Sequence, residues 1–271
     1  GWRRDMADMI IQLDEYVAKG SQLWLLNTVK VSERKEMLKD KGHKEELDVK
    51  NLQIRNVVGN PIVRRDLLKI KAEEEGGEEI TLDQFDSLLI LADYVAIKEG
   101  ADMQSSDSRS LASLLIIQDI QRQQYKVNKE NQVEAKEPCN PISEILDTRT
   151  RSLLRVVDCK GYVMSNQIVS AAIAQVAECR EMNVVLTELL SAEGNEPYLR
   201  KVELYVDVER KEPLSFWDVC LRARQRREVA VGYCPHSMKF EDCGEVMLNP
   251  PDKDKPIVWS AGDIVVVIAL D

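Results

Sequence analysis

Short apolar runs alternate with helix-spaced apolar residues through the first half of the chain, and this alternation restricts the fold more than any other feature. A short apolar run bounded by turn residues suits a strand buried on both faces. An amphipathic helix between two such runs covers one face, and repetition of the pair gives βαβ units around a parallel sheet. The pattern predicts a helix from about Asp5 to Val17, with Met6, Met9, Ile10 and Leu13 on one face and Gly20 ending it. A strand at Leu23–Leu26 follows, ending at Asn27, and a charged helix begins near Ser32. Leu52–Val58 is the next strand, closed by Gly59-Asn60-Pro61, and a short helix carries Leu67, Leu68 and Ile70. Glu73–Glu79, with Gly76-Gly77 inside, reads as a solvated insertion. Phe85–Leu91 is a strand ending at Asp93. Ser105-Ser106-Asp107 then caps a helix to Gln124 with Leu111, Leu114, Leu115 and Ile120 inward. Residues 126–137 form a polar linker, and Ile142–Leu146 and Tyr162–Met164 complete the sheet.

The second half changes character. A helical stretch runs from Ser165 to Ala192, with a break near Glu181, and is stopped by Gly194 and Pro197. Val202–Val206 alternates as a strand does, a helix spans about Ser215–Ala223, and strands follow at Val229–Tyr233, Val246–Leu248 and Ile264–Ala269. The expected fold class is therefore α/β. A Rossmann-like, doubly wound parallel sheet covers residues 1–164, a helical crossover 165–195, and a smaller α+β lobe 196–271. Gly1 reads as the residue just after a first strand, and the doubly wound order 3-2-1-4-5-6 makes that strand central. The natural polypeptide is thus expected to continue upstream, where membrane helices have room.

Charge limits the partners. The net charge is −10, and an acidic surface repels a phosphate backbone, so no nucleic-acid partner is expected and cations suit the chain better. No run approaches the roughly 18 apolar residues of a membrane span. The six cysteines contain no CxxC pair and read as reduced thiols. Cys234, His236 and Cys243 are close in sequence, but a fourth zinc ligand is not apparent.

Open parallel sheets bind ligands at the carboxyl ends of their strands. Here those ends carry Gly1-Trp2-Arg3, Asn27, Gly59-Asn60, Asp93, Asp147 and Ser165-Asn166. A dinucleotide needs glycines at the first turn, but Arg3 stands where backbone must approach a pyrophosphate, and Asn27 where a ribose needs a carboxylate. No nucleotide is therefore expected. Only His43 and His236 are present, and there is no Gly-x-Ser-x-Gly or P-loop, so the chain does not read as an enzyme. Asp93, Asp107, Glu144 and Asp147 are candidate oxygen ligands for a hard cation such as calcium. The competing reading makes Asp107 a helix cap and has Glu144 and Asp147 bond loop amides or pair with Arg149 and Arg151. Glu193 and Glu196 are secondary candidates, in a segment that more often is a helix C-cap with a solvated turn. Arg222, Arg224, Arg226 and Arg227 form a basic helix face, and the four tryptophans read as core or interface.

Several of these segments resemble one family. Gly1-Trp2-Arg3-Arg4-Asp5 resembles the first-turn motif of potassium-conductance regulator domains, most closely in the plant Castor/Pollux ion channels. Ser106–Ala112, Ile142–Asp147 with Thr148-Arg149-Thr150-Arg151, and Ala192–Glu196 are similar to the same family's segments in the same order. Arg224-Gln225-Arg226 with Glu228, Val231-Gly232-Tyr233, and Trp259-Ser260 with Asp263 extend the similarity to the closing strand. The resemblance implies a gating ring of regulator domains beside the pore of a homotetrameric cation channel, with calcium as ring ligand and the polypeptide's own transmembrane pore domain as partner. It also implies the nuclear envelope, or else the plastid envelope, and a part in root symbiosis. Two other classes stay open: an NAD(H)-binding sensor or enzyme, and an oligomeric scaffold without ligand.

Overall fold

The computed structural model describes residues 1–39, 47–70, 72–73, 79–94, 97, 100–131, 137–192, 194–236 and 246–270. It separates into two compact units, Gly1–Ala171 and Ala172–Asp271.

The N-terminal unit opens with α1 (Met6–Tyr16), whose Met6, Ala7 and Ile10 are buried. Strand β1 (Ser21–Asn27) and, after α2 (Val31–Lys39), strand β2 (Leu52–Val58) pair in parallel, from Ser21 opposite Leu52 to Asn27 opposite Val58. Asp14, near the end of α1, accepts backbone N–H bonds from Lys50, Asn51 and Leu52, each at 2.8 Å, and so fixes where β2 begins. Helix α3 (Arg64–Leu67) is short. Ala72–Glu73 and Glu79–Ile80 pair antiparallel as β3 and β4, at the ends of the expected solvated insertion, whose centre lies outside the described residues. Then come β5 (Leu89–Ile90), α4 (Met103–Glu130), β6 (Ile142–Ile145), α5 (Arg151–Val156) and β7 (Gly161–Met164). Strands β5, β6 and β7 form a second parallel sheet in that order. No ladder bond joins β1 to β5 among the described residues. The Gly1-Trp2 backbone lies beside β5's end, where the Tyr94 N–H donates to the Trp2 carbonyl at 3.2 Å. A Cβ on residue 1 would come within 2.4 Å of the Leu91 carbonyl oxygen, a contact that only glycine avoids.

Two apolar clusters build this unit. Trp2, Met6, Ile10, Leu25 and Leu52 form one. Leu67, Leu82, Ile90, Leu111, Leu114, Ile117, Ile120, Ile145 and Leu154 belong to the other, which α4 feeds at three-residue spacing. Leu115, expected to point inward, is half exposed, because the inward stripe passes through Leu114 and Ile117 instead.

One arginine is buried among these elements with no acidic side chain paired to it among the described residues. Arg34 of α2 is 1% exposed. Its Nη1 donates to the Leu25 carbonyl at 2.9 Å and to Asn56 Oδ1 at 3.2 Å, and its Nη2 to the Val57 carbonyl at 3.0 Å. The guanidinium lies 5.9 Å from the Trp2 ring centre. Burial pushes its pKa below the ordinary arginine value.

Helices α6 (Ser165–Glu178) and α7 (Met182–Leu189) follow, with the break near the expected Glu181 and no buried residue in either. Ile173 is 65% exposed and Val184 71%. No described helix is long and apolar enough to cross a membrane.

The C-terminal unit is an antiparallel sheet of β8 (Asn195–Lys201), β10 (Val229–Cys234), β11 (Met247–Leu248) and β13 (Ile264–Leu270), in the order β11-β10-β13-β8. A second ladder pairs β9 (Leu214–Ser215) with β12 (Pro256–Ile257). The expected strand at Val202–Val206 is instead a 3-10 turn over Val202–Leu204, and the strand lies just before it. Helix α8 (Phe216–Gln225) starts in a capping box between Ser215 and Asp218. Its Phe216, Val219 and Ala223 pack with Val265, Val267, Ala269 and Trp259. Trp2 and Trp259 are thus core, but Trp217 is exposed.

Inside this unit the Tyr205 hydroxyl donates to Glu228, which Arg200 and Arg226 each approach to 3.7 Å. Burial first, and then the bond to Glu228, pushes the Tyr205 hydroxyl above the ordinary tyrosine range. The folded protein therefore holds this proton to higher pH than the unfolded chain does. The contribution is whole below about pH 10 and is lost as pH rises through the folded value. Thermal melts between about pH 8 and about pH 11 are expected to show stability falling above about pH 10, and Tyr205→Phe to flatten that fall.

Candidate functional site

The carboxyl ends of the parallel strands gather the residues expected to act. After β5 come Ala92 and Asp93, after β6 Leu146 and Asp147, and after β7 the start of α6. The cap of α4 is Asp102, whose side chain accepts the Ser105 N–H at 2.8 Å, not the Ser105–Asp107 stretch. The helix thus starts earlier than the serine cluster suggested. It also runs on to Glu130, into the expected linker, because nothing between Gln124 and Glu130 breaks it.

That shift places Ser106 and Asp107 inside α4 near its start, facing the strand ends. Ser106 Oγ accepts the Asp93 N–H at 3.2 Å. Asp107, 0% exposed, accepts the N–H groups of Leu146 and Asp147 at 2.9 Å each and the Thr150 hydroxyl at 2.8 Å. Glu144, 5% exposed, accepts the Ala92 N–H at 3.0 Å on one oxygen and an Arg3 Nη1–H on the other. Arg3 also makes a two-pronged pair with Asp5 at 2.9 Å and sits 5.6 Å from the Tyr94 ring centre. Asp147 accepts from the Arg149 backbone at 2.8 Å and pairs with its guanidinium. The side-chain bond to Arg149 is the largest cause holding the Asp147 carboxyl below the usual range.

The backbones of Asp93 and Asp147 are thus brought to one helix turn through Ser106 and Asp107, while the Glu144 side chain is engaged with Arg3. No group of three His, Cys, Asp or Glu side chains is close enough to hold one ion among the described residues. Glu196 is buried on β8 in the other unit, and Glu193 lies outside the described residues. Cys243 lies outside them too; the five described cysteines are free thiols. An open hollow of about 420 Å³ at the start of α4 is lined by Asp102, Gln104, Ser105, Ser108 and Arg109, and by none of the candidate carboxylates.

Sequence reading missed three polar contributors. Arg3 was weighed only as a misfit for a nucleotide, although a cation beside two acids is its evident role. Thr150 lies in one of the segments that carry the resemblance, but nothing local shows that its hydroxyl meets Asp107. Arg34 sits in a helix that reads as charged and solvated, and only the packing reveals its burial.

No family model matches the chain. It is 40% identical, in an alignment 288 positions long that covers 99% of its length, to the probable ion channel CASTOR of Oryza sativa subsp. japonica, and covers 30% of that protein. It is 39% identical, in an alignment 287 positions long, to ion channel CASTOR of Lotus japonicus, covering 31%. Its fold is similar to the human SLO3 gating ring, with a TM-score of 0.58 over 99% of this chain and 42% of that one, at 14% identity. The chain spans about a third of the length of these channels. Over 99% of its own length the chain is similar to part of the ion channels named CASTOR and POLLUX.

Proposed function

We propose that this region is the ligand-sensing part of a gating ring in a homotetrameric cation channel, with calcium as the ligand and the polypeptide's own pore domain as the element it moves. The observation that carries the proposal is identity of 40% to a channel protein across 99% of the chain, on a fold similar to a gating ring. The acidic strand ends support a cation as ligand, and the uncovered apolar residues of α6 and α7 support self-association. The proposal extends, on the resemblance of the sequence segments, to placement at the nuclear envelope, and on the similarity to ion channels to a non-enzymatic role.

The energies required are modest. Moving a closed-to-open ratio from 1:99 to 99:1 needs about 5.5 kcal/mol of differential affinity. Four equivalent sites each need about 1.4 kcal/mol, roughly a tenfold preference. Calcium must compete with resident partners, Arg149 at Asp147 and Arg3 at Glu144, so binding is expected to rearrange ion pairs as it occurs.

Thermal melts in calcium and in magnesium test the proposal. At calcium about 100-fold above its Kd, stabilisation of about 2.7 kcal/mol is expected. The Asp93→Asn/Asp147→Asn variant should lose most of that shift. Absence of any calcium shift at millimolar concentration counts against calcium as the ligand. The partnering of the Asp107, Glu144 and Asp147 carboxylates favours a second reading, an assembly scaffold with an inert rim. A particle whose size by light scattering ignores every cation would support it.

A further inference from the structure

We infer that Ser106 and Asp107 together form the joint through which α4 holds the ends of β5 and β6, Ser106 at Asp93 and Asp107 at Asp147, and that Asp107 serves to position Asp147, not to ligate a cation. The inference deepens the calcium reading above and rests on it for its functional meaning. Its geometry stands independently. Asp107 is fully buried near the start of a helix of 28 residues. Its Oδ1 accepts the Leu146 N–H at 2.9 Å, and its Oδ2 accepts the Asp147 N–H at 2.9 Å and the Thr150 hydroxyl at 2.8 Å. The preceding side chain, Ser106, accepts the Asp93 N–H at 3.2 Å. Two consecutive side chains of one helix turn therefore grip two strand ends.

A carboxylate has about four lone-pair sites, and here three face short donors. One site remains, on Oδ1, so a cation can take both oxygens only if a bond on Oδ2 yields, leaving a buried backbone N–H or hydroxyl unpaired. Keeping all three instead fixes the backbone from which Asp147 projects, as Ser106 fixes that of Asp93. Helix α4 is about 42 Å long at the ordinary rise per residue. A cation that draws Asp93 and Asp147 together pulls on the start of α4, and a small rotation there is largest at Glu130. The joint thus connects rim occupancy to a long rigid element.

The test uses the full chain as wild type, Asp107→Asn and Thr150→Val, read by amide hydrogen exchange without calcium and by melting titrations with calcium chloride. In Asp107→Asn, exchange at Leu146 and Asp147 is expected to quicken about tenfold or more, with α8 unchanged. Thr150→Val removes a neutral hydroxyl that bonds Asp107. It is expected to change the apparent calcium affinity in the same direction as Asp107→Asn. Unchanged exchange at 146–147 in Asp107→Asn overturns the joint. So does a lost calcium response in Asp107→Asn with wild-type affinity in Thr150→Val, which would make Asp107 a ligand. If wild type itself ignores calcium, the calcium reading falls and the exchange result alone decides the joint.

Discussion

Replacing Arg34 by lysine is expected to destabilise the N-terminal unit by about 3 kcal/mol, and more than replacement by methionine does. The guanidinium spans acceptors on two strands, the Leu25 carbonyl of β1 and the Asn56 side chain and Val57 carbonyl of β2. Lysine keeps a cation at a site 1% exposed but presents one compact ammonium, which cannot reach three separated acceptors. The desolvation cost remains while most of the bonds go. Methionine also abandons the acceptors, but it removes the charge and its desolvation, so its expected cost is about 1–2 kcal/mol. Urea unfolding of the three proteins measures both the cost and the order. Lysine tolerated better than methionine would mean that the charge, and not the fork, is what the site needs.

Introducing glutamate at Ile173 and Val184 together is expected to weaken self-association by about 100-fold or more. These side chains are 65% and 71% exposed, on helices with no buried residue. Residues 165–177, the body of α6 up to its final glutamate, contain no charged side chain, in a chain that is 31% charged. Such a face is most stable against another apolar face, and a carboxylate moved into that contact must be desolvated without a partner. Sedimentation of wild type and double variant across a concentration series reads the change. Equal association in both would move the contact elsewhere on the molecule. The two substitutions lie on solvent-facing positions, so the fold of each unit is expected to survive them.

Much of the fold was legible because its signals are local. β2 was bounded correctly by Leu52 and by the Gly59-Asn60-Pro61 turn, and the break between α6 and α7 fell beside Glu181. Where the reading slipped, a tertiary contact had overridden a local cue. Pro197 read as a helix stop, yet β8 accommodates it because β8 is the edge of its sheet and an edge strand needs fewer N–H donors. Ser105-Ser106-Asp107 looked like a cap, but Asp102 caps α4 and releases Asp107 to bond the turn after β6. Phe85–Leu91 promised a long strand, of which only Leu89–Ile90 pairs. The candidate carboxylates were found by position along the chain, which says where a strand ends but not which donors meet it. Those donors, Arg3 at Glu144 and the Leu146 and Asp147 amides at Asp107, come from distant segments and have no sequence signature.

The central claim is that this region makes a channel's opening depend on a bound cation. Single-channel recording of the full-length polypeptide in a planar bilayer, with calcium varied on the side that exposes this region, measures that dependence directly. The account expects open probability to change steeply with calcium, and the Asp93→Asn/Asp147→Asn variant to shift the midpoint to higher calcium by tenfold or more. Open probability that stays constant from nanomolar to millimolar calcium, in wild type and variant alike, would contradict it.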